Sequence, residues 1–409
     1  MRIGINGVGI AGPTLAYWLR EYGHQPILFE KADRLRTEGY VVDFWGLGYN
    51  VAERMGIIEE LRAKATEQER LSFVDGGGKE IAHLDARKVR EQWNGRFITV
   101  PRGAISQAAF DASGDVRTEF GVHIVGIEER AGGVDAVLSD GRTERFDAIV
   151  GADGLHSATR ELVFGASSQY EHFLDAYVAA YRAPDYPHVD PGWYVAHSIP
   201  NRWAARIQRY DGVTVILLIF RAGLLGHEPR QDDIPAALRK VFEGVGWEVP
   251  EMLGHLDDGP VYFDRVSQIR MPTWSKGHVT LVGDAAACPS LLAGEGTGLA
   301  MTEAYVLAGE LHAAGGDVAL AFRRYEEKLS AFVAGEQKGA LVFRSFFVPS
   351  SRFGVIARNL VTRLADFQAS RRSSPDGPSR RSPSRTTSSV PLQRGSASGA
   401  MWVPTPIVG

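Results

Sequence analysis

Arg2-Ile3-Gly4-Ile5-Asn6-Gly7-Val8-Gly9-Ile10-Ala11-Gly12-Pro13 opens the chain and decides how the rest is read. Residues 2–6 form a short apolar strand pattern that runs straight into a glycine turn. A helical pattern opens at Pro13 and lasts to about Tyr22, Gly23-His24-Gln25 punctuates, and Pro26 to Phe29 reads as a second strand ending at Glu30. Strand, glycine turn, helix, strand and acid, in that order, form the fingerprint of a dinucleotide site. Gly7 permits the tight turn, Gly9 lets the backbone approach a pyrophosphate, and Gly12 lets helix and strand pack closely. Pro13 suits a first helical turn, where its missing N–H costs nothing and the free N–H groups face an anion. Glu30, eighteen residues past Gly12, is placed to accept hydrogen bonds from a ribose.

The bulk properties narrow the class. A chain of 409 residues has room for two domains or one large interrupted one. Its 44% hydrophobic and 23% charged content is ordinary for a globular protein. A net charge of −4 gives no reason to expect nucleic acid or a membrane surface as partner. The single cysteine, Cys288, rules out an internal disulfide and fits a reducing compartment. A strand beginning at residue 2 argues against a cleaved signal peptide, and no apolar run reaches membrane-spanning length. A cytoplasmic enzyme is the expectation.

Outward from the fingerprint, Tyr40 to Phe44 reads as a strand and Tyr49 to Thr66 as a helix with Val51, Met55, Ile58 and Leu61 on one face. Leu71 to Val74 and Ile81 to Leu84 flank a Gly76-Gly77-Gly78 turn as a hairpin. Arg96 to Val100 is a further strand, and Pro101-Arg102-Gly103 introduces a helix. Val122 to Glu128, Val134 to Ser139 and Arg145 to Val150 form a strand series with a turn at Asp140-Gly141. From about Ser168 to Arg270 the character changes to aromatic and β-branched runs, among them Ala176 to Tyr181, Trp193 to Ser198, Ala204 to Tyr210 and Val213 to Arg221. This span predicts a separate, largely antiparallel sheet. Val279 to Val282 is a buried-strand run, followed by long helical patterns broken near Pro349.

The expected fold is α/β. A Rossmann-like domain over 1–72, 96–167 and 271–345 is interrupted by a mostly antiparallel substrate domain over 73–95 and 168–270, with a C-terminal helix at 346–370. From Arg371 the chain is rich in Arg, Ser, Pro and Gly, with almost no apolar residue before Val390. Such a segment buries too little apolar surface to offset its ordering entropy, so 371–409 reads as a disordered tail. A basic interaction tail and a shifted reading frame near Phe367 are the other readings.

Three motifs now stand in order: Gly7 to Glu30, Gly151-Ala152-Asp153-Gly154-Leu155-His156-Ser157, and Gly283-Asp284-Ala285-Ala286 followed by Gly294-Glu295-Gly296-Thr297-Gly298. Together they resemble the class A flavin-dependent monooxygenases, the family of the p-hydroxybenzoate hydroxylases, from Arg2 to about Gln368. Arg34 to Gly48 and Trp274-Ser275-Lys276-Gly277 look closest to the tetracycline-inactivating members.

The resemblance implies FAD as cofactor and NAD(P)H as co-substrate. Gly7, Gly9, Ile10, Ala11 and Gly12 would hold the ADP half of FAD, with Glu30 and Lys31 at the adenosine end. Arg36 matches a position that contacts the nicotinamide cofactor, Asp43 one that contacts the flavin, and Arg102 an arginine on FAD. Asp153 and Gly154 would serve both cofactors. Asp284 would bind the ribityl and pyrophosphate region, and Pro289, Gly294, Gly296, Thr297 and Gly298 would lie along the isoalloxazine. The reaction implied is hydroxylation of an aromatic or polyketide-like small molecule by O2 through a C4a-hydroperoxyflavin, with no catalytic side chain and no metal. The chain departs from the family at Ala287, often His, and at Glu303, often Asp. A reductase or halogenase on the same fold, or a non-catalytic FAD-binding or drug-sequestering protein, are the rival readings. Cys288 reads as a small buried residue, and His83, His156 and His227 show no metal-ligand spacing.

Overall fold

The computed structural model describes residues 1–36, 40–188, 190, 192–209 and 212–372. The expected tail beyond Arg372, and Tyr210 at the end of its expected strand, lie outside the described residues.

Apolar strands covered on both faces pair in parallel, because helices must return the chain across each face. The central sheet follows that rule. Its order is Ser275–Lys276, Val279–Leu281, Ala148–Gly151, Arg2–Asn6, Gln25–Glu30 and Thr118–Phe120. Only the Ser275–Lys276 edge pairs antiparallel. Ile3, Ile5, Leu28, Val150 and Leu281 are fully buried, and the helices Ala11–Glu21 and Gly296–Ala313 pack in the same core. Arg2–Asn6 lies at the centre. The loops that leave the carboxyl ends of its neighbours therefore bring Gly7, Glu30, Asp153 and Asp284 to one edge, where ligands bind in sheets of this kind.

Two expected elements divide. Residues 145–150 are not one strand: Thr143–Phe146 closes a three-stranded antiparallel meander with Gly133–Leu138 and Ile124–Arg130, while Ala148–Gly151 joins the central sheet. Asp147 makes the switch, since its carboxylate accepts from the Arg2 N–H at 2.6 Å and its own N–H donates to the Arg2 carbonyl at 2.9 Å. The expected helix from Tyr49 is likewise two, Gly46–Arg54 and Ile58–Ala63. Gly56 adopts φ +76° between them. Its N–H bonds Glu53, the Ile57 N–H bonds Ala52, and this paired closure ends the first helix.

The aromatic span forms a seven-stranded sheet in the order Tyr262–Ile269, Glu171–Ala183, Thr214–Arg221, Arg202–Gln208, Trp193–Ile199, Arg70–Val74 and Glu80–Asp85. Arg70–Val74 crosses the boundary expected at residue 72 and pairs in parallel with Trp193–Ile199. One face of this sheet packs Tyr177, Phe220 and Phe242 around the helix Ile234–Val241. The other packs Phe73, Trp203 and Val266 against Leu292 and Val348, from elements tied to the central sheet. The helix Val318–Phe347 crosses the boundary expected at 345. The chain then bends by 109° into Arg352–Arg372, so the break falls near Pro349 as expected.

Candidate functional site

The three glycines of the opening turn do three different things. A Cβ at Gly7, φ +118°, would lie 2.5 Å from the Ala152 carbonyl oxygen, so this residue lets the first and second motifs touch. A Cβ at Gly12 would lie 2.0 Å from the Gly7 carbonyl oxygen, which binds the helix to its own turn. Nothing stands within 4 Å of a Cβ at Gly9, and that open side is where a ligand backbone fits. The helix begins at Ala11, two residues before Pro13. No side chain caps its N-terminus and no acid sits in its first turn, so its free N–H groups present positive charge.

Carboxylates organise this end. Glu30 is buried, and its two oxygens accept from the Val8 N–H at 2.9 Å and the Ala32 N–H at 3.0 Å. Each oxygen keeps a second lone pair. Arg36 stands 3.5 Å from the same carboxylate, largely exposed, and Lys31 is exposed beside it. Asp153 is spent on the fold: it accepts from the Ser157 hydroxyl, the Thr159 N–H and hydroxyl, both at 2.9 Å, and the Asn6 amide at 3.2 Å. Gly154, φ +80°, remains open beside it.

The third motif lies at the same edge of the sheet. Gly283 lies between the first helix and Gly296–Ala313, with Ala11 and Ala300 both 3.3 Å from where its Cβ would be. Its N–H is held by the buried Glu303 carboxyl, so the departure noted at that position carries a structural bond. Asp284 follows, 3.8 Å from where a Gly296 Cβ would lie. Burial raises its carboxyl above the usual range while the nearby Arg102 guanidinium opposes the shift. The same surroundings push the Tyr40 hydroxyl up to about 12, again by burial, with Arg102 opposing. Arg102 and Asp284, remote in sequence, thus share one neighbourhood. Pro289 is buried and its carbonyl accepts from Gln268 at 3.0 Å. Gly294 turns at φ +74° into the eighteen-residue helix Gly296–Ala313, whose first turn, with Thr297 and Gly298, has no side-chain cap and no acid.

Opposite that helix stands the strand Val41–Trp45, which pairs antiparallel with Phe97–Pro101. Asp43 accepts from the Thr99 hydroxyl at 2.5 Å, and burial raises its carboxyl. A Cβ at Gly48 would lie 2.2 Å from the Gly298 Cα, so two backbones meet there. Asp43, Trp45, Glu295, Leu299, Thr302 and Phe332 line the cleft between them. Glu295 is pushed up to about 8 by burial and then by Glu336.

Sequence reasoning missed several braces. Arg160 is buried and donates to the carbonyls of Leu155 at 2.6 Å and Ala285 at 3.0 Å, riveting the second motif to the third. Asn6, Gly48, Glu295 and Glu336 were also missed. The Gly46-Leu47-Gly48 spacing was the one available signal, since paired glycines often mark close backbone approach. Cys288 is buried, as expected, and burial pushes its thiol up, away from reactivity. No group of acids, histidines and cysteine suited to a metal occurs among the described residues.

An open side at Gly9, two uncapped helix N-termini and a buried acid at Glu30 fit a dinucleotide cofactor, and similar proteins agree. Residues 1–332 match the family described as FAD binding domain. A flavin-dependent monooxygenase of Legionella longbeachae is 33% identical over 356 residues, covering 85% of this chain and 90% of that protein. One from Phoma is 32% identical, covering 90% and 92%. Among solved structures, tetracycline destructase Tet(51) matches with a TM-score of 0.76 at 33% identity, covering 92% of this chain and 99% of that one. HpxO of Klebsiella pneumoniae complexed with FAD and uric acid, at 21% identity and TM-score 0.76, shares the fold. The chain belongs to the class A flavin-dependent monooxygenases. It is an FAD-binding flavoprotein of the same architecture as the tetracycline destructases.

Proposed function

We propose that the chain is a single-component monooxygenase that oxidises NAD(P)H and inserts one atom of O2 into an electron-rich carbon of an aromatic or polyketide-like molecule. What supports this is that the open side at Gly9, Glu30, and Asp284 with Arg102 nearby gather at the carboxyl end of the central sheet, beside the uncapped Gly296 helix N-terminus and the cleft lined by Asp43, Trp45, Glu295, Leu299 and Phe332. Leu291 and Leu292, which follow Asp284 in the chain, pack with the seven-stranded sheet. FAD, when bound, supplies the two-electron chemistry and the activation of O2 that no side chain here could perform. Gly7 to Gly12 would hold its pyrophosphate, and Glu30 its adenosine ribose. The uncapped helix starting at Gly296 would stabilise negative charge on the ring. Leu299, Phe332 and Trp45 would keep water from the cleft, which matters because water diverts reduced oxygen to peroxide. Arg36, exposed beside Glu30, would meet a nicotinamide cofactor arriving from solvent.

The likeness to Tet(51) makes tetracyclines the first substrates to try, followed by simple phenols. The test follows NAD(P)H oxidation and O2 uptake by the FAD-loaded enzyme, with isotope-labelled O2. Substrate-stimulated turnover that places one labelled oxygen in the product supports the reading. NAD(P)H consumption without O2 uptake would make it a reductase, halide-dependent products a halogenase, and tight substrate binding without turnover a sequestering protein.

A further inference from the structure

Over residues 352–364 the C-terminal helix Arg352–Arg372 is packed inside out. Its buried face is polar: Arg358 and Thr362 are buried, and the Arg358 guanidinium donates to the Ser198 hydroxyl at 2.9 Å and lies 4.5 Å over the Phe73 ring. Its solvent face is apolar. Phe353 is 80% exposed, and Ile356, Leu360, Val361 and Leu364 are each more than half exposed. These are five of the nine large apolar side chains that stand exposed among the described residues. Phe353, Ile356, Leu360 and Leu364 follow the three- and four-residue spacing of one helix face. A contiguous apolar stripe of this kind marks an interaction surface.

Charge identifies the occupant. From Arg352 to the C-terminus the sequence holds nine arginines, two aspartates, and neither lysine nor glutamate. The overall charge of −4 therefore conceals a strongly basic end on an acidic body. A second copy laid antiparallel on the stripe would set Arg352 against the partner's Arg371 and Arg372, bringing like charges together. An anionic bilayer satisfies both features at once, with apolar side chains entering the headgroup boundary and flanking cations meeting lipid phosphates. Among the described residues no single helix is long and apolar enough to cross a membrane; a helix with one apolar face and flanking cations lies in the plane of the surface.

We infer that the exposed face of residues 352–364 docks the protein on the surface of an anionic lipid bilayer. The test floats FAD-loaded, full-length protein with vesicles of phosphatidylcholine alone or mixed with phosphatidylglycerol, at low and high salt. The fourfold variant Phe353→Gln, Ile356→Gln, Leu360→Gln, Leu364→Gln is compared, with light scattering of both proteins in the absence of lipid. The expected result is binding at least about tenfold greater on the anionic vesicles, weakened by salt. The fourfold variant should lose about tenfold of that binding while keeping its flavin and its melting temperature. Unchanged binding by the variant would assign the attraction to the arginines alone and overturn the role of the stripe. A dimer in solution that the variant converts to monomer, with no vesicle binding, would assign the stripe to a second copy. A monomer that ignores both vesicle types would mean that the chain's own C-terminal segment covers it.

Discussion

The fingerprint region and the cleft beside the Gly296 helix treat their carboxylates in opposite ways. At the fingerprint end, both Glu30 oxygens are met by backbone N–H groups and Asp153 accepts from four donors, so the charges are committed before any ligand arrives. At the other end, Asp43 and Asp284 are half-buried with few partners, and Glu295 crowds Glu336; loss of solvent raises each of these carboxyls. The first end is a frame whose geometry holds itself. The second holds carboxyls whose ionised form awaits compensation from outside the chain, as expected where a ligand completes a site.

Breaking the frame should have the largest effect. Gly12→Ala forces a methyl onto the Gly7 carbonyl, and overpacking of that kind costs about 3 kcal/mol; the melting temperature and the bound flavin should both fall. Gly9→Ala sharpens the contrast, because its site is open. Its flavin-free form should melt within about 0.5 kcal/mol of the parent while FAD affinity drops. If both variants melted alike without flavin, the assignment of separate jobs to these glycines would be wrong.

Asp153→Ala comes next. It strands the Asn6 amide and the Thr159 and Ser157 hydroxyls, and hydrogen bonds to a charged group contribute about 1.5–3 kcal/mol. Chemical denaturation should report a loss of that order, with Asp153→Asn losing less.

At the opposite end the expected effect is one of pH. The Glu295 carboxyl rises from 4.5 to about 8 on folding, so between those values the folded chain holds a proton that the unfolded chain has released. Stability of the flavin-free protein should therefore fall as pH climbs through that window. Glu295→Gln should flatten the slope, and melting curves at several pH values would read it. A slope unchanged by the substitution would remove Glu295 from the account.

Arg36→Ala is expected to do least to the fold. A long pair at 3.5 Å whose Arg36 partner is largely exposed contributes about 0.5 kcal/mol or less, so melting should barely move. A raised KM for the nicotinamide cofactor with kcat retained would support its assignment; unchanged kinetics would leave it a solvated loop charge.

The Gly9 side, the Glu30 acid and the uncapped helix were legible in the sequence, because each follows from local backbone rules. A glycine turn between a strand and a helix has only a few geometries, and the residue types report which one. The hairpin at 71–84, the aromatic sheet and the break near Pro349 were legible for the same reason, their periodicity and punctuation being local. Joining the meander to the parallel strand at Asp147 was not, since the switch depends on the Arg2 backbone far away in sequence. The Gly56 stop was readable in principle and was hidden by an apolar face that continues across it.

By itself, the sequence determined that a dinucleotide fingerprint opens the chain, because glycine spacing is a property of the chain alone; its three motifs in order resemble a flavin-dependent family, and the family match shows that FAD is the cofactor. Tertiary structure decided the rest. It turned the Asp153 carboxylate inward to brace the fold, set Gly48 against Gly298, and drove Arg160 through to the Ala285 carbonyl. It also turned the C-terminal helix so that its polar face is buried and its apolar face looks outward. Each of these outcomes depends on which groups are brought together across long sequence separations. Burial and desolvation then set their energies, and neither can be read from neighbours along the chain.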